Sequence, residues 1–537
     1  MFDEAKAVLR QAKPGSIVPF VHTLPYALDA LDYFSKLSDH GRKPGSVLFE
    51  SAEVVSGYGE LSIGFAEPLL RASFKAPNLS ITALNAQGER FLSFVGEKPF
   101  AFAESLRFSP SEIKAVIQRP SFKGSESDEE RLHAKSPLDA LRALAFAFQP
   151  TLRPLKCTSG LFGLFSYDFI DYFEELPPLA QRPEPDFEFY FADTLFVIDH
   201  KQQRTHFVSN ALVTDGNAQG AQAQEDRCLA QIEALAEKYT PARTLVPRYA
   251  PRKAEPPRPF AEQKFFDGAR AIRENILAGN VFQAVLSAET TLPYNAVPLD
   301  AYRFLRQSNP SPYMFFFALE RGQLLAASPE MCYRVEADPN GGTRLLEVRP
   351  IAGTRPRGKN PEEDSRLEAE LLTDSKELAE HAMLLDLARN DVARVSVPGT
   401  RVVQRPFTVE KYSHVQHLVS TVRGRLRPGL DALHCYAACM NPGTLTGAPK
   451  PEAMKLLREL EGEGRGFYGG MACYLTPSGT LDSAIVIRAL RLLDGKATVR
   501  AGAGFVLDSR PEAELAEVRS KQAACLEAIQ RTGGALV

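Results

Sequence analysis

The sequence has no tryptophan and little cysteine. Its seven cysteines are odd in number and scattered, without a CxxC pair. Such cysteines are usually small, reduced and buried, and we interpret Cys435 and Cys439, four residues apart, in the same way. No apolar run reaches the roughly 18 to 20 residues of a membrane span. Because the N-terminus also lacks a basic region followed by an apolar stretch, no secretory signal is expected and a cytoplasmic location is predicted.

A large excess of charge of either sign is also absent. The 537 residues include 63 Lys and Arg against 66 Asp and Glu, which gives a formal net charge of −3, and no basic block stands out. Nucleic acids and anionic membranes are therefore poor candidates as partners. The arginines occur singly or in short segments and not in a long basic stretch, which suits a small anionic ligand better than a polymer.

Apolar and aromatic runs set the expected architecture. Those that begin near Ser46, Leu79, Gly160 and Phe187 predict strands of a sizeable sheet. Helices are expected over 220–239 and 260–280, and the polar stretch 124–137 is expected to be a surface loop. Strands and helices do not alternate as strictly as in a parallel sheet. We predict an α+β fold in which large antiparallel sheets form a layered core flanked by helices.

A proline-rich stretch divides the chain. Residues 241–260 contain six prolines and several basic residues, which cannot form a regular element. The predicted organisation is an N-terminal region over 1–240, a linker over 241–260 and a C-terminal region over 261–530.

Paired carboxylates give the first chemical signal. Glu377 and Glu380 are three residues apart in a predicted helix and share one face, and Glu514 and Glu517 repeat this spacing. Two such pairs can form a Mg²⁺ site, with Glu380 and Glu517 as direct ligands and Glu377 and Glu514 bridging through water. Spacing alone leaves an alternative open, in which both faces are solvated and ion-paired with nearby lysines, such as Lys376 and Lys521.

Glycine-containing turns and isolated polar residues give the second signal. The turns at 352–354, 442–449, 467–470 and 501–504 permit close approach of the backbone to a ligand, although each alone could be structural. Arg488 lies in a strand-like apolar run, and Glu330 follows an apolar strand as a candidate general acid or a helix N-terminal charge. His414 and His417 have a spacing that would need a helix to hold zinc, whereas their segment is strand-like.

Together these segments resemble the chorismate-utilising enzymes, in a consistent order from about Phe260 to Ala528. The resemblance is carried by GNVFQAVLS, NPSPYMFF, LLAASPE, RPIAGTRPRG, DSKELAEHAMLLDLARND, HLVS, PGTLTGAPK, FYGG, AIVIR and AGAGFVLDSRPEAELAEVRSK. Members that add water to chorismate carry a lysine where this chain has Gln283. Aminodeoxychorismate synthases commonly carry a lysine where it has Ala352. With Gln283 and Ala352 at these positions, the chain resembles the anthranilate synthase component I branch of the family. The segments LFESAE over 48–53 and GLFSYDFIDYFEELP support the same resemblance.

The resemblance implies roles for individual residues. Glu330, His417 and Thr444 would be catalytic, with Glu330 as general acid and His417 linked to pyruvate elimination, and Mg²⁺ would be held by Glu380 and Glu517. The residues that would bind chorismate are Gly353, Thr354, Tyr468, Arg488, Gly502, Ala503, Gly504 and Lys521.

The resemblance also implies regulation and a partner. Tryptophan would bind as a feedback inhibitor at Ser51, Pro312, Tyr313 and Met314, so that 1–240 carries sensing elements and 261–530 the chorismate-binding catalytic region. No GxCxG elbow or HxE pair is present, so ammonia from glutamine would come from a separate glutamine amidotransferase subunit. The implied reaction makes anthranilate and pyruvate in the first committed step of tryptophan biosynthesis. The alternatives are an aminodeoxychorismate synthase component I and a non-catalytic tryptophan-sensing subunit.

Overall fold

The computed structural model describes residues 2–51, 60–120, 127–180, 182–238, 262–338, 343–412 and 415–533. The predicted linker over 241–260 and His414 lie outside these residues. Within them the chain forms two large sheets flanked by helices.

The first sheet has twelve strands. In chain order they are β1 (Ser16–Leu24), β2 (Val47–Glu50), β3 (Leu61–Phe65), β8 (Gln149–Pro150), β11 (Thr194–Asp199), β12 (Arg204–Val213), β13 (Gln283–Pro293), β14 (Tyr313–Ala318), β15 (Gln323–Ser328), β21 (Gly447–Ala448), β24 (Ala489–Leu493) and β25 (Lys496–Phe505). Their order across the sheet is β21-β13-β25-β24-β15-β14-β2-β3-β11-β12-β1-β8.

The second sheet has thirteen strands. They are β4 (Leu70–Lys75), β5 (Asn78–Ala83), β6 (Ser105–Phe108), β7 (Glu112–Val116), β9 (Gly160–Phe165), β10 (Phe187–Ala192), β16 (Met331–Ala337), β17 (Arg344–Val348), β18 (Ile351–Pro356), β19 (Val402–Lys411), β20 (Val415–Arg425), β22 (Met471–Leu475) and β23 (Leu481–Ile485). Their order is β18-β20-β17-β16-β23-β22-β9-β10-β4-β5-β7-β6, and β19 pairs with β20.

Helices lie before, between and after these strands. They are α1 (Asp3–Gln11), α2 (Ala30–Leu37), α3 (Ala86–Val95), α4 (Asp128–His133), α5 (Pro137–Ala145), α6 (Ala218–Glu237), α7 (Glu262–Leu277), α8 (Pro298–Ser308), α9 (Pro361–Thr373), α10 (Ser375–Val395), α11 (Ala432–Cys439), α12 (Gly443–Thr446), α13 (Lys450–Glu461) and α14 (Pro511–Thr532), with short 3-10 helices at Lys98–Phe100 and Tyr167–Tyr172. No helix of the described segments is long and apolar enough to cross a membrane.

The two sheets pack face to face over an aromatic core. Phe49 of the first sheet and Phe162 of the second have ring centroids 6.1 Å apart, and both belong to a buried cluster that also contains Phe315 and Tyr190. Burial of aromatic surface of this size is a major stabilising contribution. A separate apolar cluster, with Phe265, packs α7, α13 and α14 against β13 and β25, and so supports the strands that carry the site.

The predicted α+β class with antiparallel sheets is confirmed. The helices expected over 220–239 and 260–280 are α6 and α7. The prediction of a surface loop over 124–137 is wrong over 128–133, where a capping box of Ser127 and Glu130 starts α4, and at Pro137, which begins α5. Residues 121–126 lie outside the described part.

Candidate active site

Most of the predicted functional residues lie around one cavity of about 200 Å³. It is lined from strands β13, β18, β20 and β25, from helices α10, α12 and α14, and from the connections that follow β15 and β23. The lining residues are Gln283, Pro329, Glu330, Ile351, Ala352, Gly353, Thr354, Glu380, Leu384, His417, Thr444, Leu445, Tyr468, Ile487, Arg488, Arg500, Ala501, Gly502, Gly504, Glu517 and Lys521.

Glu380 on α10 and Glu517 on α14 reach this cavity from two helices. Burial raises the pKa of Glu380, and the negative charges of Glu377 and Glu517 raise it further. Glu380 Oε1 accepts a hydrogen bond of 3.2 Å from Gln283 Nε2, and Glu517 is ion-paired with Lys521 at 2.7 Å. The alternative of a solvated helix face predicts an ion pair between Glu517 and Lys521, and this ion pair is present. Glu380, in contrast, is too buried to belong to a solvated helix face.

Glu377 and Glu514 do not line the cavity. Glu377 accepts a hydrogen bond of 3.3 Å from Arg355, and Glu514 is 6% exposed, with a pKa that burial raises. The charge of Glu377 still acts on the cavity, because it raises the pKa of Glu380, and the cavity residue Glu517 in turn raises the pKa of Glu514.

The carboxylates fit a hard cation. A cation between Glu380 and Glu517 would relieve the repulsion that raises the pKa of Glu380. Among the described residues no group of three or more His, Cys, Asp and Glu side chains could hold a metal ion. The two carboxylates Glu380 and Glu517 are a donor set of the size that Mg²⁺ commonly takes, with water and substrate oxygens completing its shell.

Glu330 is placed as an acid. It lies between β15 and β16, so it is not the helix N-terminal charge that the sequence left possible. Burial raises its pKa to about 7, while the hydrogen bond from Thr444 and the charge of Lys521 act in the opposite direction. Thr444 Oγ1 donates to Glu330 Oε1 at 2.9 Å. A carboxyl with this pKa is partly protonated at neutral pH and can donate a proton.

His417 is placed as a neutral imidazole. It lies on strand β20, as the β-branched segment predicted, and burial lowers its pKa. Its Nδ1 lies 3.1 Å from the carbonyl oxygen of Gly353 and 3.0 Å from the hydroxyl of Thr354. Because a carbonyl can only accept, the proton belongs on Nδ1, which leaves Nε2 with a free lone pair.

Arg488 lies in a break in the strand-like run, between β23 and β24, with a φ of 50°. The expectation of a strand at this position is therefore wrong. Burial lowers the pKa of its guanidinium, and in the part of the chain that the structure describes it forms no carboxylate ion pair. An anionic group of a ligand would offset that cost. Tyr468 lies on the same cavity, where burial raises its pKa to about 12.

Two differences between the predicted and the observed cavity residues lie on strand β25. Ala503 was predicted but does not line the cavity, and Arg500 lines it but was not predicted. Arg500, Gly502 and Gly504 line it at alternate positions and Ala501 touches it as well, whereas Ala503 lies only in the apolar cluster below α14. The two-residue period of the strand was the signal that could have identified Arg500. A Cβ at Gly504 would lie 2.5 Å from Gln283 Nε2, so a larger residue there would displace the Gln283 side chain.

A second cavity of about 80 Å³ contains part of the predicted inhibitor site. Ser51, Pro312 and Tyr313 line it, and Tyr313 donates to Asp482 at 3.1 Å. Met314 lies on the opposite face of β14, where it is fully buried in another apolar cluster. The alternation of β14 therefore separates Met314 from the other three.

Comparison with known proteins identifies the family of the chain. Residues 101–527 match the family described as chorismate binding enzyme. The chain belongs to this family. Two relatives named anthranilate synthase component 1 are each 40% identical: that of Vibrio parahaemolyticus, with 96% of this chain and 94% of the relative covered, and that of Escherichia coli, with 91% and 92%.

Solved structures extend the comparison. The anthranilate synthase component I of Streptococcus pneumoniae is 30% identical, with a TM-score of 0.68 over 88% of this chain and 93% of that one. The menaquinone-specific isochorismate synthase of Escherichia coli shares the fold at 16% identity, with a TM-score of 0.60 and 98% of both chains covered. This chorismate-binding protein is therefore an enzyme of the anthranilate synthase component I type.

Proposed function

We propose that this chain is the large component of a Mg²⁺-dependent anthranilate synthase, which converts chorismate and ammonia into anthranilate, pyruvate and water. The observation that carries the proposal is the content of one cavity: two carboxylates on separate helices, an acid with a pKa near neutral, a neutral histidine and a half-buried arginine that forms no carboxylate ion pair within the described residues.

Charge complementarity supports chorismate as the ligand. Chorismate is a dianion, and the cavity offers Arg488 and Lys521 as cationic groups. Glu380 and Glu517 would hold Mg²⁺, which supplies positive charge for the ring carboxylate when it is bound. The Lys521 ammonium donates to the carbonyl of Gly502 at 2.9 Å, which keeps it at the cavity wall.

Glu330 and Thr444 serve the first step. Ammonia forms a bond to ring carbon C2, both ring double bonds shift so that they lie between C1 and C6 and between C4 and C5, and the bond between C4 and its hydroxyl breaks; the new ammonium group then loses one proton. Glu330 donates its proton to that hydroxyl, so that water leaves instead of hydroxide. The hydrogen bond from Thr444 then stabilises the carboxylate that remains, because a hydroxyl donor favours the charged form.

His417 serves the second step. Its free Nε2 accepts the C2 proton, whose electron pair completes the aromatic ring as the C3–O bond breaks. The departing enolpyruvate takes up a proton and becomes pyruvate. The hydrogen bond from Nδ1 to Gly353 stabilises the imidazolium that forms.

Two uncharged residues support ammonia as the nucleophile. Gln283 and Ala352 both line the cavity, at the positions where other chorismate-utilising enzymes are expected to carry lysine. A glutamine cannot act as a strong base toward water, and an alanine cannot attack the ring. Neither the addition of water nor the route of aminodeoxychorismate synthases has its expected residue here.

We further propose that tryptophan inhibits the enzyme at the cavity of Ser51, Pro312 and Tyr313. Relatives named component 1 imply a second component, and we propose that it is a glutamine amidotransferase that supplies ammonia in the cytoplasm. The reaction would open tryptophan biosynthesis.

The experiment is an assay of the isolated chain with chorismate, Mg²⁺ and ammonium salt at high pH, followed by anthranilate fluorescence. We expect product with ammonia and none with glutamine alone, and loss of activity with EDTA. Glu380→Ala and Glu517→Ala should abolish Mg²⁺-dependent turnover without loss of cooperative unfolding. Wild-type activity in either variant would refute the metal assignment.

A further inference from the structure

A fully buried ion cluster lies behind one wall of the catalytic cavity. It consists of Glu461, the last residue of α13, together with Arg465 and Arg500, whose side chains are only 2 to 4% exposed. Among its members only Arg500 lines the cavity. Buried ion pairs are costly to desolvate, so their geometry must be well satisfied.

The Glu461 carboxylate is satisfied on both oxygens. Oε1 accepts from the backbone N–H of Ser287 at 3.0 Å, from its hydroxyl at 2.7 Å and from Arg465 Nη2 at 2.7 Å. Oε2 accepts from Arg465 Nε at 2.9 Å and from Arg500 Nη2 at 3.1 Å. The two guanidinium groups and these hydrogen bonds lower the pKa of Glu461 to about 2 despite its burial.

Arg465 extends this cluster toward the cavity. Its Nη1 donates to the carbonyl of Leu445 at 2.5 Å and its Nη2 to the carbonyl of Val285 at 2.7 Å. Its guanidinium carbon lies 4.7 Å from the ring centroid of Tyr167 and 6.0 Å from that of Tyr468.

Three of these contacts, to Leu445, Val285 and Tyr468, end at or near a residue of the cavity. Leu445 follows Thr444, the hydroxyl donor to Glu330, and Val285 lies two residues beyond Gln283 on β13. Tyr468 itself lines the cavity. One rigid guanidinium therefore joins the short helix α12, strand β13 and the Tyr468 loop.

We propose that Arg465 is a positioning residue for the reaction, which holds the Thr444 turn and the Tyr468 ring against the substrate cavity without touching substrate. The inference rests on the proposed function for its kinetic consequence. Lysine cannot replace arginine here, because one ammonium cannot donate to both Glu461 oxygens and both carbonyls at once. Arg465→Lys keeps the charge and removes the planar arrangement.

The experiment compares Arg465→Lys with a matched control, Arg458→Lys. Arg458 lies on α13, is buried as Arg465 is, and binds Asp171 and, at 2.7 Å, the carbonyl of Pro177; none of its hydrogen bonds or ion pairs within the described residues involves the cavity. We expect kcat for ammonia-dependent turnover to fall about tenfold in Arg465→Lys and less than twofold in Arg458→Lys. Equal losses in both variants, or a loss below twofold in Arg465→Lys, would overturn the inference.

A double-mutant cycle with Thr444→Ala tests the route of the effect. If Arg465 acts largely through Thr444, Arg465→Lys should reduce kcat much less in the Thr444→Ala background than in the wild type. Fully multiplied losses would contradict action through Thr444. Where Arg465→Lys does not fold, Ser287→Ala removes one hydrogen bond from Glu461 and should lower kcat about threefold; an unchanged kcat would count against the inference.

Equilibrium dialysis of chorismate separates this inference from the proposed function. We expect Arg465→Lys to weaken chorismate binding at least fivefold through Tyr468, whereas Arg458→Lys should bind as the wild type does. If the wild type bound chorismate but released no anthranilate, the proposed function would fail, and the binding ratio would still decide the role of Arg465. Unchanged binding in Arg465→Lys would refute it.

Discussion

At the residue scale, three glutamates in and behind one cavity differ in how their surroundings shift the pKa. Glu330 has a pKa of about 7 because burial outweighs one hydroxyl donor and a lysine charge. Glu461, equally enclosed, has a pKa of about 2 because two guanidinium groups surround it. Glu380 is a third case, with a pKa raised by burial and by neighbouring carboxylates. Environment alone thus distinguishes the proposed acid, a structural anion and the proposed cation ligand.

The first prediction concerns Glu330. Glu330→Gln should lower kcat at least about 100-fold, because glutamine cannot protonate the leaving hydroxyl. In the wild type the protonated form is the active one, so kcat/KM should fall as pH rises through about 7. The rates are to be compared at a constant concentration of free NH₃, since ammonia itself is liberated as pH rises.

Glu188→Gln is the matched control for this prediction. Burial also raises the pKa of Glu188, which accepts a hydrogen bond from the backbone of Glu320 at 2.9 Å and lies away from the cavity. Its turnover should stay within about twofold of the wild type and keep the same alkaline limb. A Glu330→Gln variant with wild-type kcat would exclude Glu330 as the acid.

The second prediction concerns the proposed effector site. Ser51→Phe should relieve inhibition by tryptophan, because a phenyl ring would fill part of a cavity of about 80 Å³. Catalysis without tryptophan should be retained. The measurement is the tryptophan concentration that halves ammonia-dependent turnover, and an unchanged value would count against this site.

At the element scale, the alternation of side chains between the two faces of a strand determines which predicted residues line a cavity. The segments that carry the family resemblance contribute β13, β18, β20 and β25 to the cavity, and most of the predicted ligand residues line it. Ala503 and Met314 do not, because they alternate away from neighbours that do. Arg465 could not be identified from sequence, since its contacts to Leu445 and Val285 join segments far apart in the chain.

The third prediction concerns the turn within β18. Gly353 has a φ of 64°, and a Cβ there would lie 2.9 Å from Leu371 Cδ1 and 3.1 Å from Glu377 Oε2. Gly353→Ala should therefore displace the carbonyl that binds His417 and lower kcat about tenfold or more. Gly279→Ala is the control, because Gly279 has a φ of 79° with nothing within 4 Å of its Cβ position.

Both substitutions should cost about 1 to 2 kcal/mol of stability from the left-handed backbone. Only Gly353→Ala should add a steric cost and a loss of turnover. Thermal unfolding and kcat measured on both variants separate the two effects. Equal activity in the two variants would show that the Gly353 carbonyl does not position His417.

At the scale of the whole molecule, each sheet is built from two halves that meet edge to edge. In the first sheet β14 pairs with β2, and in the second sheet β22 pairs with β9. Every strand on one side of these junctions precedes residue 240, and every strand on the other side follows residue 260. The chain before residue 240 and the chain after residue 260 therefore each contribute one half of both sheets.

The fourth prediction follows from these junctions. Fragments 1–240 and 261–537 expressed separately should each expose two long strand edges and aggregate, whereas co-expression should restore a complex that unfolds cooperatively. Size-exclusion chromatography and thermal unfolding measure the outcome. Cooperative unfolding of 261–537 alone would show that the C-terminal region does not need the junctions.

The identity of the product tests the central proposal most directly. The isolated chain is incubated with chorismate, Mg²⁺ and ¹⁵N-labelled ammonium, and the products are identified by NMR and mass spectrometry. We predict anthranilate with ¹⁵N on the carbon next to the carboxylate-bearing carbon, together with one equivalent of pyruvate. Label at ring carbon C4 in 4-amino-4-deoxychorismate, or binding of tryptophan without turnover of chorismate, would contradict the proposed function.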